Sequence, residues 1–320
     1  MYTRNLLWLV SLVSAAPLYA ADVPANTPLA PQQVFRYNNH SDPGTLDPQK
    51  VEENTAAQIV LDLFEGLVWM DGEGQVQPAQ AERWEILDGG KRYIFHLRSG
   101  LQWSDGQPLT AEDFVLGWQR AVDPKTASPF AGYLAQAHIN NAAAIVAGKA
   151  DVTSLGVKAM DDRTLEVTLE QPVPWFTTML AWPTLFPVPY HVIAKYGDSW
   201  SKPAHMVYNG AFVLDKWVVN EKITARKNPK YRDAQHTVLQ QVEYLALDNS
   251  VTGYNRYRHI SRWMIVLLKL RLSSRFLGSR RCSPGRRCSR FPIMSSRNMA
   301  IAGVSLRIWF TTVPLCLING

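Results

Sequence analysis

No acidic residue follows Asp248. From residue 259 to the C-terminal Gly320 the chain carries ten Arg and one Lys with no Asp or Glu. Residues 1–258 hold the other 22 basic residues and all 27 acidic ones, a net charge of −5. At the body's frequency of about one acidic residue in ten, so long a run without one arises by chance roughly once in a thousand, and folded domains mix both signs. The chain therefore reads as two unlike pieces, an acidic body and a basic tail. All three cysteines, Cys282, Cys288 and Cys316, lie in the tail. The overall charge of +6 is only their sum and does not mark the whole chain as a nucleic-acid binder. A hydrophobic fraction of 47% supports a large core and excludes wholesale disorder. No apolar run reaches the roughly 18 residues that a membrane-spanning helix needs.

The first residues read as an export signal. Arg4 precedes an apolar run over residues 6–16, and Leu18-Tyr19-Ala20 closes it with a small residue at the cut. Cleavage is expected after Ala20, which would export the mature protein. No cysteine lies near that position, so lipid attachment there is not expected. A cysteine-free body suits an oxidising compartment, where stray thiols would mispair.

The body patterns as mixed α/β. Val34-Phe35-Arg36-Tyr37, Tyr93 to Leu97 and Val242 to Ala246 predict strands. Thr55 is a candidate cap for a helix carrying Ile59, Leu63 and Phe64 on one face and ended by Gly66. Thr110-Ala111-Glu112-Asp113 resembles a capping box, with Phe114, Trp118 and Val122 following at helical spacing. Asp161-Asp162 turns the chain into a strand at Leu165 to Leu169, and Asn220-Glu221 sits between two strand-like runs as a hairpin turn. Asp71-Gly72-Glu73-Gly74 is a further turn.

Catalytic chemistry has no foothold in this pattern. The seven His form no HExxH or HxxxH pair, and GxSxG, P-loop and GxGxxG motifs are absent. Glu52-Glu53 and Asp161-Asp162 are adjacent carboxylates that read more readily as solvated turn charges than as an acid–base pair. Neither an enzyme, a metal site nor a cofactor is expected. The tail could harbour a basic membrane- or nucleic-acid-interacting segment, with residues 263–272 amphipathic, but no nucleic-acid-binding fold is recognisable in it.

Several segments together resemble the periplasmic oligopeptide-binding family, the extracytoplasmic solute-binding proteins of peptide ABC importers. They include Thr45-Leu46-Asp47-Pro48, Asp62 to Leu67, Trp103-Ser104-Asp105-Gly106, Thr110 to Val115, Trp118-Gln119-Arg120, Val122 to Pro129, Pro172-Val173-Pro174, Asn209-Gly210-Ala211 and Tyr254 to Arg258. The likeness is collinear over residues 21–258. It implies an α/β clamshell of the peptide-binding type with an extra lobe, closing over its ligand without a covalent step. Residues 21–64 and 190–258 correspond to a discontinuous first lobe and residues 65–189 to the extra lobe. The opposing lobe, due after Arg258, is not recognisable; His259-Ile260-Ser261-Arg262 breaks the likeness. Residues 259–320 are therefore expected to be a non-homologous, disordered tail of the kind that out-of-frame reading gives, the rival being a genuine basic appendage.

By the same resemblance, Glu52, Glu53 and Asn54 occupy a strand-like stretch that pairs with bound peptide. Phe130 sits where peptide binders can have Tyr, and Trp182 where they can have His. Both departures remove polar groups, either as tolerated drift at a wet cleft wall or as a site for a more apolar ligand. The ligand expected first is a short peptide, with an amphipathic small molecule as the alternative. The partner implied is an inner-membrane ABC permease. Nucleic acid is not an expected partner, and a monomer is expected.

Overall fold

The computed structural model describes residues 30–248, together with the backbone of two short paired segments, Ala300–Ile301 and Val304–Ser305. The expected signal over residues 1–20 lies outside the described residues, as does the tail apart from those two segments.

The chain opens with β1 (Val34–Asn38) and α1 (Asn54–Leu63), then the short hairpin β2 (Val68–Met70) and β3 (Val76–Pro78). Next come β4 (Ala81–Leu87), β5 (Arg92–Leu97), α2 (Ala111–Val122), α3 (Ala131–Gln136) and α4 (Ala142–Val146). After them run β6 (Val157–Asp161), β7 (Thr164–Thr168), α5 (Phe176–Met179), a 3-10 turn at Pro183–Leu185 and α6 (Tyr190–Tyr196). The described body closes with β8 (Phe212–Val218), β9 (Lys222–Lys227) and β10 (Gln241–Leu245).

Apart from the β2–β3 hairpin, these strands build two four-stranded sheets. The first runs β1-β10-β9-β8, with β1 parallel to β10 and the other pairs antiparallel. Alternation along β10 puts Val242 and Tyr244 on one face and Glu243 on the other. The Tyr244 hydroxyl donates to the Asp62 carboxylate on α1, so that face is covered by the helix. On the opposite face Glu243 accepts from Arg36 (2.8 Å), Lys222 (3.0 Å) and Gln241 (3.0 Å). The second sheet runs β4-β5-β7-β6, antiparallel throughout. Its strand β5 alternates as the sequence predicts: Tyr93, Phe95 and Leu97 are buried, while Arg92, Ile94 and His96 are only partly covered. Helix α2 packs against β6 and β7, and its Phe114, Trp118 and Val122 are fully buried. Its capping box forms, the Thr110 N–H donating to the Asp113 carboxylate at 2.9 Å. Burial pushes the Asp113 carboxyl above its ordinary range, against the N–H groups of Tyr190 and Thr110 and the Trp103 indole.

Two expectations at α1 need correction. The N-cap is Glu53, not Thr55; Thr55 lies inside the first turn, and its hydroxyl donates instead to Glu53 Oε2 at 3.4 Å. The helix also stops before Gly66. Phe64 already turns extended (φ −129°, ψ 156°), because its ring is drawn into a cage of Trp103, Trp200 and Tyr208, with centroids 5.6–6.5 Å away. The hairpin at Asn220 forms as expected, Asn220 taking the left-handed φ of 59° that its short polar side chain tolerates.

The chain leaves the first sheet's neighbourhood at Glu65 and returns at Asn209, and those two points are bonded to each other. The Glu65 N–H donates to Asn209 Oδ1 (3.1 Å), and Asn209 Nδ2 donates to the Glu65 carbonyl (2.8 Å). The Glu65 carboxylate accepts from Arg232 (2.6 and 2.7 Å), from the Tyr231 hydroxyl (2.6 Å) and from Gln80 (2.8 Å). Burial works against the Arg232 charge, yet the hydrogen bonds and charge of Glu65 outweigh it and hold the guanidinium above its ordinary range. Beside this clamp a Cβ on Gly210 would stand 2.5 Å from the Leu63 carbonyl carbon, so only glycine lets the returning strand approach α1.

Two outcomes follow from these contacts. Arg232→Met leaves the largely covered Glu65 carboxylate short of its fork, and unfolding in urea is expected to show a loss of about 3 kcal/mol. Asp62 is the second case. Burial pushes its carboxyl from 3.8 up to about 6, against hydrogen bonds from Tyr244 and Gln58. The folded state then holds a proton that the unfolded chain releases, so this contribution is complete below the unfolded value and is lost as pH rises through the folded one. Thermal melts from pH 4 to 7 are expected to fall for the wild type and to flatten for Asp62→Asn.

Candidate functional site

The segment before α1 is buried up to Val51, which is 3% exposed, and surfaces at Glu52, Glu53 and Asn54. Glu53 is extended (φ −89°, ψ 141°), and its carbonyl accepts from the N–H groups of Ala56 and Ala57. The strand-like stretch expected here is thus limited to Glu52 and Glu53, because Asn54 is already the first residue of α1. A helix start leaves its first N–H groups without helical acceptors, so this end of the segment presents donors as well as two carboxylates.

Phe130 and Trp182 lie far apart in sequence and meet in space. Phe130 precedes α3, half-buried, its N–H donating to Ser128 Oγ at 3.2 Å. Trp182 precedes the 3-10 turn and is 36% exposed. Their rings stand edge to face, with centroids 6.3 Å apart and planes at 76°, the arrangement that aligns a positive ring edge with a negative ring face. Helix α3 is pinned beside them by the Tyr133 hydroxyl, which donates to the Met179 carbonyl at 3.2 Å. Trp175, 60% exposed, belongs to the same 175–182 segment. The two positions that the resemblance marks as departures therefore form one partly exposed aromatic surface.

The carboxylates and the aromatic pair do not touch. They are joined through residues that the sequence did not single out for this purpose. Asp47 and Gln49, 1% and 0% exposed, sit just ahead of Glu52. Arg120 on α2 donates to Gln49 Oε1 (2.7 Å) and to both Asp47 carboxylate oxygens (2.9 and 3.3 Å). Gln49 Nε2 in turn donates to the Phe186 carbonyl at 3.1 Å, with the Thr184 carbonyl at 3.5 Å. Asp47-Pro48 and Arg120 are visible in the sequence only as turn and helix residues; nothing in spacing or composition signals their burial.

Among the described residues no group of three or more His, Cys, Asp or Glu is placed to hold a metal ion. Asp161 accepts from the Arg163 N–H at 2.8 Å, and that bond holds its carboxyl below the usual range. It therefore serves the β6–β7 turn. The arrangement offers surfaces for contact and no activated nucleophile.

Residues 75–256 match the family described as bacterial extracellular solute-binding proteins, family 5 Middle. The chain belongs to this family of solute-binding proteins. It is 98% identical over 258 residues to the probable deoxycholate-binding periplasmic protein YgiS of Escherichia coli K12, covering 81% of this chain and 48% of that protein. It is 50% identical over 250 residues to the periplasmic oligopeptide-binding protein OppA of Salmonella typhimurium LT2, covering 78% and 46%. The crystal structure of Haemophilus influenzae OppA in complex with RPPGFSPFR superposes with a TM-score of 0.71 at 40% identity, over 73% of this chain and 46% of that one. The chain thus spans about half the length of the relatives it matches. The fold is the mixed α/β fold of periplasmic binding proteins over that half, and the family is one of binders rather than enzymes.

The aromatic contact can be checked on the free protein. A double-mutant cycle with Phe130→Ala and Trp182→Ala, read by chemical denaturation, is expected to give a coupling of about 0.5–1.5 kcal/mol. A coupling near zero would mean the rings do not pair in solution.

Proposed function

We propose that this chain carries one wall of a periplasmic solute-binding site that serves an inner-membrane ABC importer, and that its ligand is an amphipathic small molecule. The observation that carries the ligand class is the Phe130–Trp182 pair, which gives the wall an apolar, flat-faced surface. Burying one aromatic face contributes about 1–2 kcal/mol, enough to re-rank ligands on an inherited site. The name of the 98% identical relative, a probable deoxycholate-binding protein, agrees in class. A short peptide is the second reading. It is favoured by the oligopeptide-binding relatives and by the extended backbone of Glu52 and Glu53, whose peptide groups can pair with a ligand strand.

In this reading residues 21–64 and 190–258 belong to a first lobe, and residues 65–189 to an extra lobe beside it. The first sheet draws its strands from both sides of the sequence, while the second lies wholly within residues 81–168, which supports that division. Export would follow removal of residues 1–20. Capture by closure needs a second lobe across the cleft, opposite the wall proposed here.

Calorimetry with sodium deoxycholate and with tri- to pentapeptides tests the ligand class, on the full-length relative and on this chain. Deoxycholate is expected to bind the full-length protein tighter than any peptide and to lose affinity on Trp182→His. Peptide binding two decades tighter, unchanged by Trp182→His, would reject the amphipathic ligand.

A further inference from the structure

The five candidate ligand-site residues sit on three segments that have no sequence proximity, and two of them, those of Glu52–Asn54 and of Trp182, are held by α2. A Cβ on Gly117 would stand 2.5 Å from the Phe186 carbonyl oxygen, so α2 lies directly against the chain that follows the 3-10 turn. One residue on, the Trp118 indole donates to the Leu185 carbonyl at 2.8 Å. Arg120, with a side chain 12% exposed, reaches the other way and grips Asp47 and Gln49, while Trp200 lies 5.3 Å beneath its guanidinium. The Gln49 amide closes the loop: its oxygen accepts from Arg120 and its nitrogen donates to the backbone on either side of Leu185. Glu52, Glu53 and Asn54 begin three residues after Gln49, and Trp182 is two residues before Thr184.

We propose that Gln49, oriented by Arg120, is a positioning residue that locks the Glu52–Asn54 segment to the Trp182 segment, so that the carboxylates and the aromatic pair act as one rigid wall. This rests on the ligand-site reading above. A buried primary amide suits the task because it offers an acceptor to the guanidinium and a donor to backbone carbonyls from one planar group. The Asp47 carboxylate supplies the countercharge that lets Arg120 remain buried. Neither Gln49 nor Arg120 is assigned a contact with ligand; both act through the segments they hold.

Amide hydrogen exchange on the full chain tests the lock without any ligand. Gln49→Met keeps the side-chain volume and removes both polar atoms. It is expected to speed exchange about tenfold at Lys50 and Val51 and, together with them, at Leu185 and Phe186, with β4 and β5 unchanged. Arg120→Lys keeps the charge but loses the fork, and is expected to give the same coupled pattern at smaller size if Gln49→Met does not fold. Faster exchange confined to residues 47–51 in either variant would overturn the proposal. Affinity for sodium deoxycholate and for the peptide RPPGFSPFR supplies a second arm. Where the wild-type chain binds a probe, Gln49→Met is expected to weaken it about tenfold, whereas Gln80→Met, which removes a comparably buried amide from the Glu65 clamp, leaves it unchanged. Equal weakening by both variants would reduce Gln49 to a merely stabilising residue and overturn the proposal. A wild-type chain that binds neither probe would count against the ligand-site reading, and the exchange pattern would then decide the lock by itself.

Discussion

The Glu65 carboxylate is the point on which the two sheets depend. The Glu65 side chain is only 12% exposed, and a charge so far withdrawn from water is tolerated only when it is paired and hydrogen-bonded. The adjacent Tyr231 and Arg232 and the distant Gln80 supply that, while Asn209 occupies both backbone groups of Glu65. The neighbouring Phe64 cage fills the space beside it with Trp103, Trp200 and Tyr208. Polar specificity and apolar payload are thus placed side by side: the aromatic cage supplies burial, and the clamp fixes which segments share it.

Above that junction the structure is a relay of polar contacts through a packed core. Arg120 and Gln49 extend the logic of Glu65 to the candidate site, using one buried amide where the junction uses one buried carboxylate. The proposed ligand surface is made of unremarkable parts, two exposed carboxylates and an edge-to-face ring pair. Their value for recognition lies in being held still, since a preorganised wall gives up less entropy when a ligand arrives.

Much of the fold is legible in the sequence where a local rule decides it. The Thr110 capping box, the alternation of β5 and the Asn220 hairpin are each written within a few residues. Strand β4 is not: its burial pattern shows one buried position and no alternation, because most of its residues face solvent. The short helices α3, α4 and α5 are set by tertiary contacts, such as Tyr133 on Met179, and carry no period of their own. The end of α1 was misread for the same reason, since the Phe64 cage overrides the helix before Gly66 can act. At the site, resemblance pointed to Phe130 and Trp182 separately, but their contact is a property of the folded chain. Asp47, Gln49 and Arg120 look like ordinary surface residues until burial is known.

The mutual bonding of Glu65 and Asn209 also has a topological meaning. Everything between them, including the whole second sheet and helices α2 to α6, enters and leaves through adjacent residues. An element joined to its host at one such doorway can be gained, replaced or relocated without redirecting the host's strands, as insertions and permutations generally require of their end points. The first sheet would keep its strand order if that cassette were exchanged for a short bridge. What it would lose is the lid over Phe64, whose cage partners Trp103, Trp200 and Tyr208 all reside inside the doorway. The cassette is modular in its connections and obligatory in its packing, so its substitution over evolutionary time would have to carry an apolar plug for that one ring.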